Sequence, residues 1–400
     1  MKRTILILQL SCLLSLTAYS QTHTDFNGYL SGMPNIIVES YGDSSATKVQ
    51  TIVHNRLNFN YYLGDRLSGS AQLRTQVWSG DLYESSQFPK GIETESYFLP
   101  LTYFGHMGNN TVLYSSLDRL WFKYTHDNLE LTLGRQRINW GQTFVWNSND
   151  IFNSYNFFDF DYEERPGADA VRLEYYTGMT SKLEAAIKLD SANNITAAGL
   201  FRFNKYNYDI QFIAGYYEST FKPDFFNNEQ AKDIVVGAGW SGDFFGLSFR
   251  GEMSYFQAIS NSADSLSKFV GSWALDHTFS SESYVSFEFL YNDVQRFQLT
   301  DLQNFYGGVG SAKNLSFTKY NFLGQVSHPI SPILNVSFAA MYFFQSSFDG
   351  FYAGPIVNYS LSENVQLSGI YQFFGYKETQ LTQNKWLNTK FAYARLKWNF

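Results

Sequence analysis

A single cysteine occurs in the 400 residues, Cys12, and it falls inside the first twenty. Past that point disulfides and thiolate metal sites are excluded. Charge is also scarce, at 16% of residues. From Gln21 onward no segment approaches eighteen consecutive apolar residues, so membrane-spanning helices are excluded as well. No motif recurs at blade length, which removes a propeller. A soluble sandwich would not normally put this many residues into one sheet system. The formal charge of −7 becomes −9 once Lys2 and Arg3 are set aside, which argues against nucleic acid as a partner.

What is present lies first at the two ends. Lys2-Arg3, the apolar stretch Ile5 to Leu16, and Ala18-Tyr19-Ser20 form a secretory signal peptide over residues 1–20, cleaved near Ser20/Gln21. Gln9-Leu10-Ser11 before Cys12 make a poor lipoprotein box, which disfavours lipidation. At the other end, Ala392, Ala394, Leu396, Trp398 and Phe400 share one strand face, and Tyr393, Arg395, Lys397 and Asn399 share the other. That pattern suits a strand with lipid on one side and a wet lumen on the other. Its terminal aromatic resembles the signal read by the outer-membrane barrel assembly machinery, which makes Phe400 the expected contact with that machinery. Aromatics reach 19%, with 29 Tyr and 38 Phe, as girdles at two membrane interfaces would require.

Between the ends, eighteen candidate strands run from 26–38 to 388–400. Leu247, Phe249, Gly251 and Met253 oppose Ser248, Arg250 and Glu252. Val285, Phe287, Phe289 and Tyr291 oppose Ser286, Glu288 and Asn292. Tight turns are predicted at Gly64-Asp65-Arg66, His126-Asp127-Asn128, Thr177-Gly178-Met179, Asn204-Lys205-Tyr206 and Gly242-Asp243. Others fall at 280–282, 329–332 and 362–364. The alternate connections, including 39–52, 79–117, 137–169 and 295–316, are mostly long. Short turns on one rim and long loops on the other predict an all-β transmembrane antiparallel barrel over residues 21–400. About eighteen strands (16–18) are expected, with periplasmic termini, in the outer membrane of a Gram-negative bacterium. Such a barrel is wide enough for an aqueous channel, and residues 21–25 are too few for a plug.

The connection 137–169 stands out because it is long yet rich in Trp140, Phe144, Trp146, Phe152, Tyr155, Phe157 and Phe158. Apolar surface on that scale must pack against something, and folding back into the lumen makes it the candidate constriction loop. Capping the outer rim or contacting a partner is the competing arrangement. Gly134, Arg135, Gln136, Trp140 and Gly141, followed by Phe144, Asn149, Asp150 and Asn153, resemble the GRQ-x-x-x-WG segment of a porin-like outer-membrane family. The form of the stretch 134–172 resembles Bacteroidetes-type members. The resemblance implies a channel and designates no substrate-binding residue.

Charge supplies a mechanism for the loop. Asp150, Asp159, Asp161, Glu163, Glu164 and Asp169 outnumber Arg137 and Arg165. Strands place Arg56, Arg74, Arg119, Arg172, Arg250 and Arg395 opposite their apolar faces. The expected pore lining is therefore Arg56, Arg74, Arg119, Arg172 and Arg250 facing Asp150, Asp159, Asp161, Glu163 and Glu164, with a transverse field between them. The plainer arrangement pairs charges across strands, Arg172 with Glu184 or Arg250 with Glu288. Asp159, Asp161 and Glu163 at alternate positions form a weak calcium candidate, without EF-hand spacing. No cofactor is expected. His54, His106, His126, His277 and His328 come with no nucleophile motif, so an enzyme is disfavoured.

The expected function is a porin-like channel for passive diffusion of small hydrophilic solutes, surrounded by outer-membrane lipid. A selective transporter of an acidic glycan or other anion is one alternative. A non-conducting barrel that binds a partner or assists secretion is another, with Phe88, Tyr97, Phe98, Leu99, Leu101, Tyr103 and Phe104 as its surface. Association of barrels into an oligomer is left open.

Overall fold

Alternation with period two continues through nearly the whole chain, and the sheet it builds closes on itself. The computed structural model describes residues 22–41, 44–83, 97–153, 164–221, 229–259, 266–294, 311–379 and 385–400. The first strands are β1 (Thr22–Tyr41), β2 (Ser44–Leu63), β3 (Leu67–Gly80), β4 (Thr102–His106), β5 (Thr111–His126) and β6 (Leu129–Gln136). Then come β7 (Ala168–Gly178), β8 (Ser181–Leu189), β9 (Ile195–Lys205), β10 (Tyr208–Phe221), β11 (Glu229–Phe244) and β12 (Leu247–Ala258). The last are β13 (Lys268–Thr278), β14 (Tyr284–Asn292), β15 (Tyr320–Ser331), β16 (Leu334–Gln345), β17 (Phe348–Ser362), β18 (Val365–Glu378) and β19 (Leu387–Asn399). Apart from β4, each pairs antiparallel with its sequence neighbours, and β19 returns to pair with β1. The product is a closed antiparallel barrel with eighteen wall strands, matching the expected fold class.

The outer face is apolar at alternate positions. Val285 and Phe287 on β14, Phe322 and Val326 on β15, and Leu396 and Trp398 on β19 all point outward and are exposed. In water such a band would be an aggregation surface, whereas a bilayer needs it. Inward positions of β12 to β15 carry polar groups such as Glu252, Ser272, Ser286, Glu288 and Asn321, all buried. The chain end seals the wall. Phe400 N donates to Gly28 O at 3.0 Å and Gly28 N donates to Phe400 O at 2.9 Å. Glycine is required at position 28, because a Cβ there would meet the Phe400 ring at 3.0 Å and Arg56 O at 2.2 Å.

Three features depart from the sequence reading. The connection expected over 39–52 is short, since β1 runs to Tyr41 and β2 starts at Ser44, in register Tyr41↔Ser44. The turn expected at Gly242-Asp243 falls instead at Phe245-Gly246, with φ of 56° and 82°. Gly242 stays in β11, where its missing side chain leaves room for the Tyr208 ring. Finally, the 79–117 connection contains β4, which lies on β5 in register Thr102↔Ser116 to His106↔Val112. Its place follows from β6, which pairs only with Leu120–His126 of β5 and leaves the upper part of that edge open.

Candidate lumen constriction

The wall opens where β6 stops at Gln136, and three consecutive residues shape that opening. Gly134 has φ of 107°, and a Cβ there would lie 2.3 Å from Leu120 O, so only glycine fits. Arg135 is fully buried. Its Nε and Nη2 donate to the two oxygens of Asp169 at 2.8 and 3.0 Å, Nη1 donates to Leu117 O, and Nη2 donates to Leu99 O. The Tyr97 ring stacks on the guanidinium at 3.7 Å. The Gln136 side chain donates to the carbonyls of Thr132 and Ala170, ending the ladder between β6 and β7. Arg135 thus ties β5, β7 and the segment before β4 to one point, while the backbone leaves the sheet.

Residues 137–153 then cross the interior. Trp140 is buried, donates Nε1–H to Glu184 Oε1 at 2.6 Å, and meets Phe152 edge to face at 4.9 Å. Gly141 allows the chain to pass Asn147, whose side chain a Cβ would strike at 2.5 Å. Two wall carboxylates hold the loop backbone. Glu252 on β12 accepts from Gln142 N at 2.6 Å and Asn149 N at 3.2 Å. Glu288 on β14 accepts from Phe144 N and Val145 N at 3.1 Å and from Trp146 N at 2.8 Å. Ser272 donates to Trp146 O at 2.7 Å and Ser254 to Ser148 O at 3.0 Å. These partners all face inward, so the loop lies inside the lumen against β8 to β14. Ile138, Trp140, Trp146, Ile151 and Phe152 bury their apolar surface there against Leu200, Ile213, Val235, Phe256, Val270 and Leu290.

A second inward segment, 311–319, precedes β15. Phe317 stacks on Phe343 at 5.0 Å and meets Phe348 at 5.2 Å, and Lys313 reaches Asp233 on β11 at 2.6 Å. The sequence reading took 311–316 as the end of a long connection and began the next strand at 317, three residues before β15 starts at Tyr320. It also missed the anchoring role of Glu184, Glu252 and Glu288. Their only signal was an acidic residue at an inward position, which a wet lumen also tolerates.

The expected pore-lining residues separate into two groups. Arg56 and Arg119 gather around Asp118, with Arg56 Nη1 at 2.8 Å and Arg119 Nη1 at 3.3 Å from the same oxygen. Arg74 is buried directly opposite Arg56 across β2 and β3. Glu164 joins this side, 3.6 Å from Arg56 and accepting from Tyr29 Oη at 3.2 Å. Arg172 and Arg250 instead line the wall under the docked loop. Arg172 bonds Glu184 at 2.7 Å and Glu174 at 2.9 Å. Arg250 pairs with Asp276 at 3.2 Å and stacks on the Phe144 ring at 4.3 Å, so the expected Arg250–Glu288 pair is replaced. Asp150 is buried on Arg137 at 2.6 Å, and its burial pushes the carboxyl above the ordinary value against the pull of that arginine. Asp159, Asp161 and Glu163, including the calcium candidate, lie outside the described residues, as does the leader 1–20.

No protein-family model and no curated protein matches the chain. Solved structures do. OccAB4 of Acinetobacter baumannii superposes with a TM-score of 0.51 at 9% identity, over 94% of this chain and 98% of that one. OccAB1 of the same organism gives 0.51 at 9%, over 94% and 97%. An anion-selective porin from Comamonas acidovorans gives 0.48 at 9%, over 95% and 100%. The fold is that of an outer-membrane porin barrel. At this identity the likeness concerns the wall and its closure. In this porin-type barrel the inward course of 137–153 rests on the contacts given above.

Proposed function

We propose that the protein is a porin-like channel passing small hydrophilic solutes by passive diffusion, narrowed by residues 137–153. The observation that carries this reading is the attachment of the loop backbone to inward-facing Glu252 and Glu288, inside a barrel of channel width. In this reading the lining consists of Arg172, Arg250 and Glu164, with Arg56, Arg74, Arg119 and Asp150 as the charged scaffold behind it. Asp159, Asp161 and Glu163 belong to its acidic side. The leader is cleaved near Ser20, and the tight turns face the periplasm. The segment Gly134 to Gly141 supports kinship with the Bacteroidetes-type porin-like family.

The vestibule between the loop and the turn rim favours anions as a refinement. Lys182 and Arg202 sit directly opposite each other across β8 and β9, a like-charge pair that costs stability unless something negative faces it. Glu174 and Glu184 balance Lys182 and Arg172. Arg202 donates to Gln211, a neutral side chain. Glu252 and Glu288 spend their oxygens on the loop. Asp276 balances Arg250, so Arg202 is the vestibule cation that suits carboxylate or phosphate solutes.

Single-channel recording in a planar bilayer under a salt gradient tests both statements. Discrete steps with an anion-directed reversal potential are expected. Replacing Arg202 and Arg250 by Gln should move that potential toward the cation side. A folded barrel without steps would overturn the channel. An unmoved potential would overturn the anion refinement.

Two other roles fit less well. Tyr97 and Phe104 are tucked against Arg135 and the Trp78 cluster, and Tyr103 is exposed on β4. Of the surface expected of a partner-binding barrel, Tyr97 and Phe104 are thus taken up by the wall, Phe98, Leu99 and Tyr103 stay exposed, and Phe88 lies outside the described residues. Ser283 and His328 lie 2.9 Å apart on exposed positions, and among the described residues no carboxylate bonds that imidazole. A further expectation concerns assembly through Phe400. Phe400→Ala keeps the backbone bonds to Gly28 but removes the ring, so the yield of heat-modifiable barrel in the cell should fall severalfold. Unchanged yield would deny the aromatic any part in assembly.

A further inference from the structure

The two inward segments do not fill the lumen evenly. From β7 to β18 the inward apolar side chains, among them Phe256, Leu290, Leu323 and Phe343, form one buried cluster with residues of 137–153 and 311–319. On β2, β3 and β5 the long inward side chains Arg56, Arg74, Trp78 and Tyr114 are buried as well. β19 differs. Its inward residues Phe391, Tyr393, Arg395 and Lys397 all keep part of their surface exposed. Lys397 fixes the direction of this face, because its Nζ lies 4.2 Å from the ring centre of Tyr29, which bonds Glu164 in the interior.

The exposure follows from side-chain bulk. Ile37 and Gln372 flank Phe391 in register, Asn35 and Ile370 flank Tyr393, and Ser368 lies beside Arg395. All five neighbours are buried, so the bulkier side chains of β19 reach farther into the lumen. Phe391 and Tyr393 stand with ring centres 6.1 Å apart and planes 9° from parallel, an apolar strip along the strand. Exposed aromatic surface in a wet lumen costs free energy unless a solute covers it. Two cations follow the strip, and their register neighbours are neutral: Ser368 beside Arg395, Ser31 and Gln366 beside Lys397.

Height puts this face at the constriction. Arg395 stands five residues before Phe400, and Glu252 five residues after Leu247, where β12 leaves its turn. At about 3.3 Å per residue and a tilt of about 40°, both lie about 13 Å above the turn rim. The loop anchor on β12 and Arg395 on β19 are therefore level, seven strands apart in a wall of eighteen, and face each other across the lumen. Phe391 lies higher, toward the loop rim.

We propose that the solute path runs along β19, and that Phe391 and Tyr393 select ring-shaped solutes whose carboxylate passes Arg395 at the level of the loop. This deepens the channel reading and rests on it. A pyranose carboxylate offers an apolar ring face to the aromatic strip and its charge to Arg395 and Lys397. An open-chain sugar acid of the same charge matches the cations alone.

Single-channel recording on the refolded barrel, without its leader, provides the test, with glucuronate (a ring) and gluconate (its open-chain counterpart) as probes. Glucuronate is expected to interrupt the current for times roughly fivefold longer than gluconate does. Phe391→Ala with Tyr393→Ala should abolish that difference, whereas Arg395→Gln should shorten the interruptions by both probes. Tyr393→Cys locates the path. No cysteine follows Cys12, so a methanethiosulfonate reagent attaches at position 393 alone, and the current should fall by about half or more. Mass spectrometry counts the adduct, and heat-modifiability on a gel verifies that each variant is folded. Should the double alanine variant not fold, Tyr393→Cys and Arg395→Gln decide the question. Equal interruption by the two probes would overturn the ring selectivity. A Tyr393→Cys barrel that takes up the reagent and conducts as before, or that refuses the reagent, would overturn the path. A folded wild-type barrel without current steps would instead overturn the channel reading itself.

Discussion

Replacing Glu252 and Glu288 together by glutamine is expected to raise single-channel conductance severalfold and to add current noise, while the barrel stays closed. Both oxygens of each carboxylate accept backbone N–H groups from the loop, five amides in all. A carboxylate suits this role because both of its oxygens accept. Glutamine keeps the size but turns one oxygen into a donor that faces another donor. A hydrogen bond to a charged group contributes about 1.5–3 kcal/mol, and the freed loop amides would seek water instead. Trp140 and Trp146 still bury apolar surface, so the loop would loosen rather than leave. Wall pairing does not involve either side chain, which is why heat-modifiability should persist. Deleting 142–165 should produce the same rise without the noise. Unchanged conductance in both variants would place the limiting passage elsewhere.

This dependence on two glutamates shows how the sequence informs and where it stops informing. The wall was legible because a strand between lipid and lumen must alternate, and residues such as Val285, Phe287 and Ser286 do so without exception. That constraint ends at the membrane edge. Ser44 to Thr47 continue β2 with exposed, mostly polar positions, so the extension read as loop. β4 is only five residues long and earns its place by filling the edge of β5 that β6 leaves open, a tertiary cause. The turn at Phe245-Gly246 was misplaced because turn chemistry favours Asp and Gly at 242–243, while a phenylalanine at φ of 56° is unfavourable in isolation. The aromatic excess of 137–153 announced that the segment must pack. Its attachment points were hidden, because Glu252 and Glu288 look like any polar lumen residue until a backbone lies above them. The arginines were visible too, but their division between a scaffold around Asp118 and a vestibule under the loop depends on strand order and register.

Arg135→Ala is expected to cost the barrel about 3–5 kcal/mol, as removal of one partner from a buried ion pair does. The guanidinium has no exposed surface, and its partner Asp169 would be left buried with Leu99 N, at 2.7 Å, as its remaining donor among the described residues. Leu117 O would lose the Arg135 donor at the same time, and Leu99 O would keep only its bond from Leu101 N. The damage should concentrate where β6 and β7 end, because Arg135 alone bonds β5, β7 and the segment leading to β4. Lysine cannot replace it, since a point charge does not match the two oxygens of Asp169 and two divergent carbonyls together. A lower midpoint of urea unfolding in detergent micelles would record the loss. Adding Asp169→Asn to Arg135→Ala should recover part of it, because the uncompensated charge goes while the missing guanidinium remains. A midpoint equal to wild type in the single variant would mean that the opening is held by Gly134 and Gln136 without the arginine. In that case the loop could enter the lumen from an ordinary strand end, and the motif would mark only a tight turn.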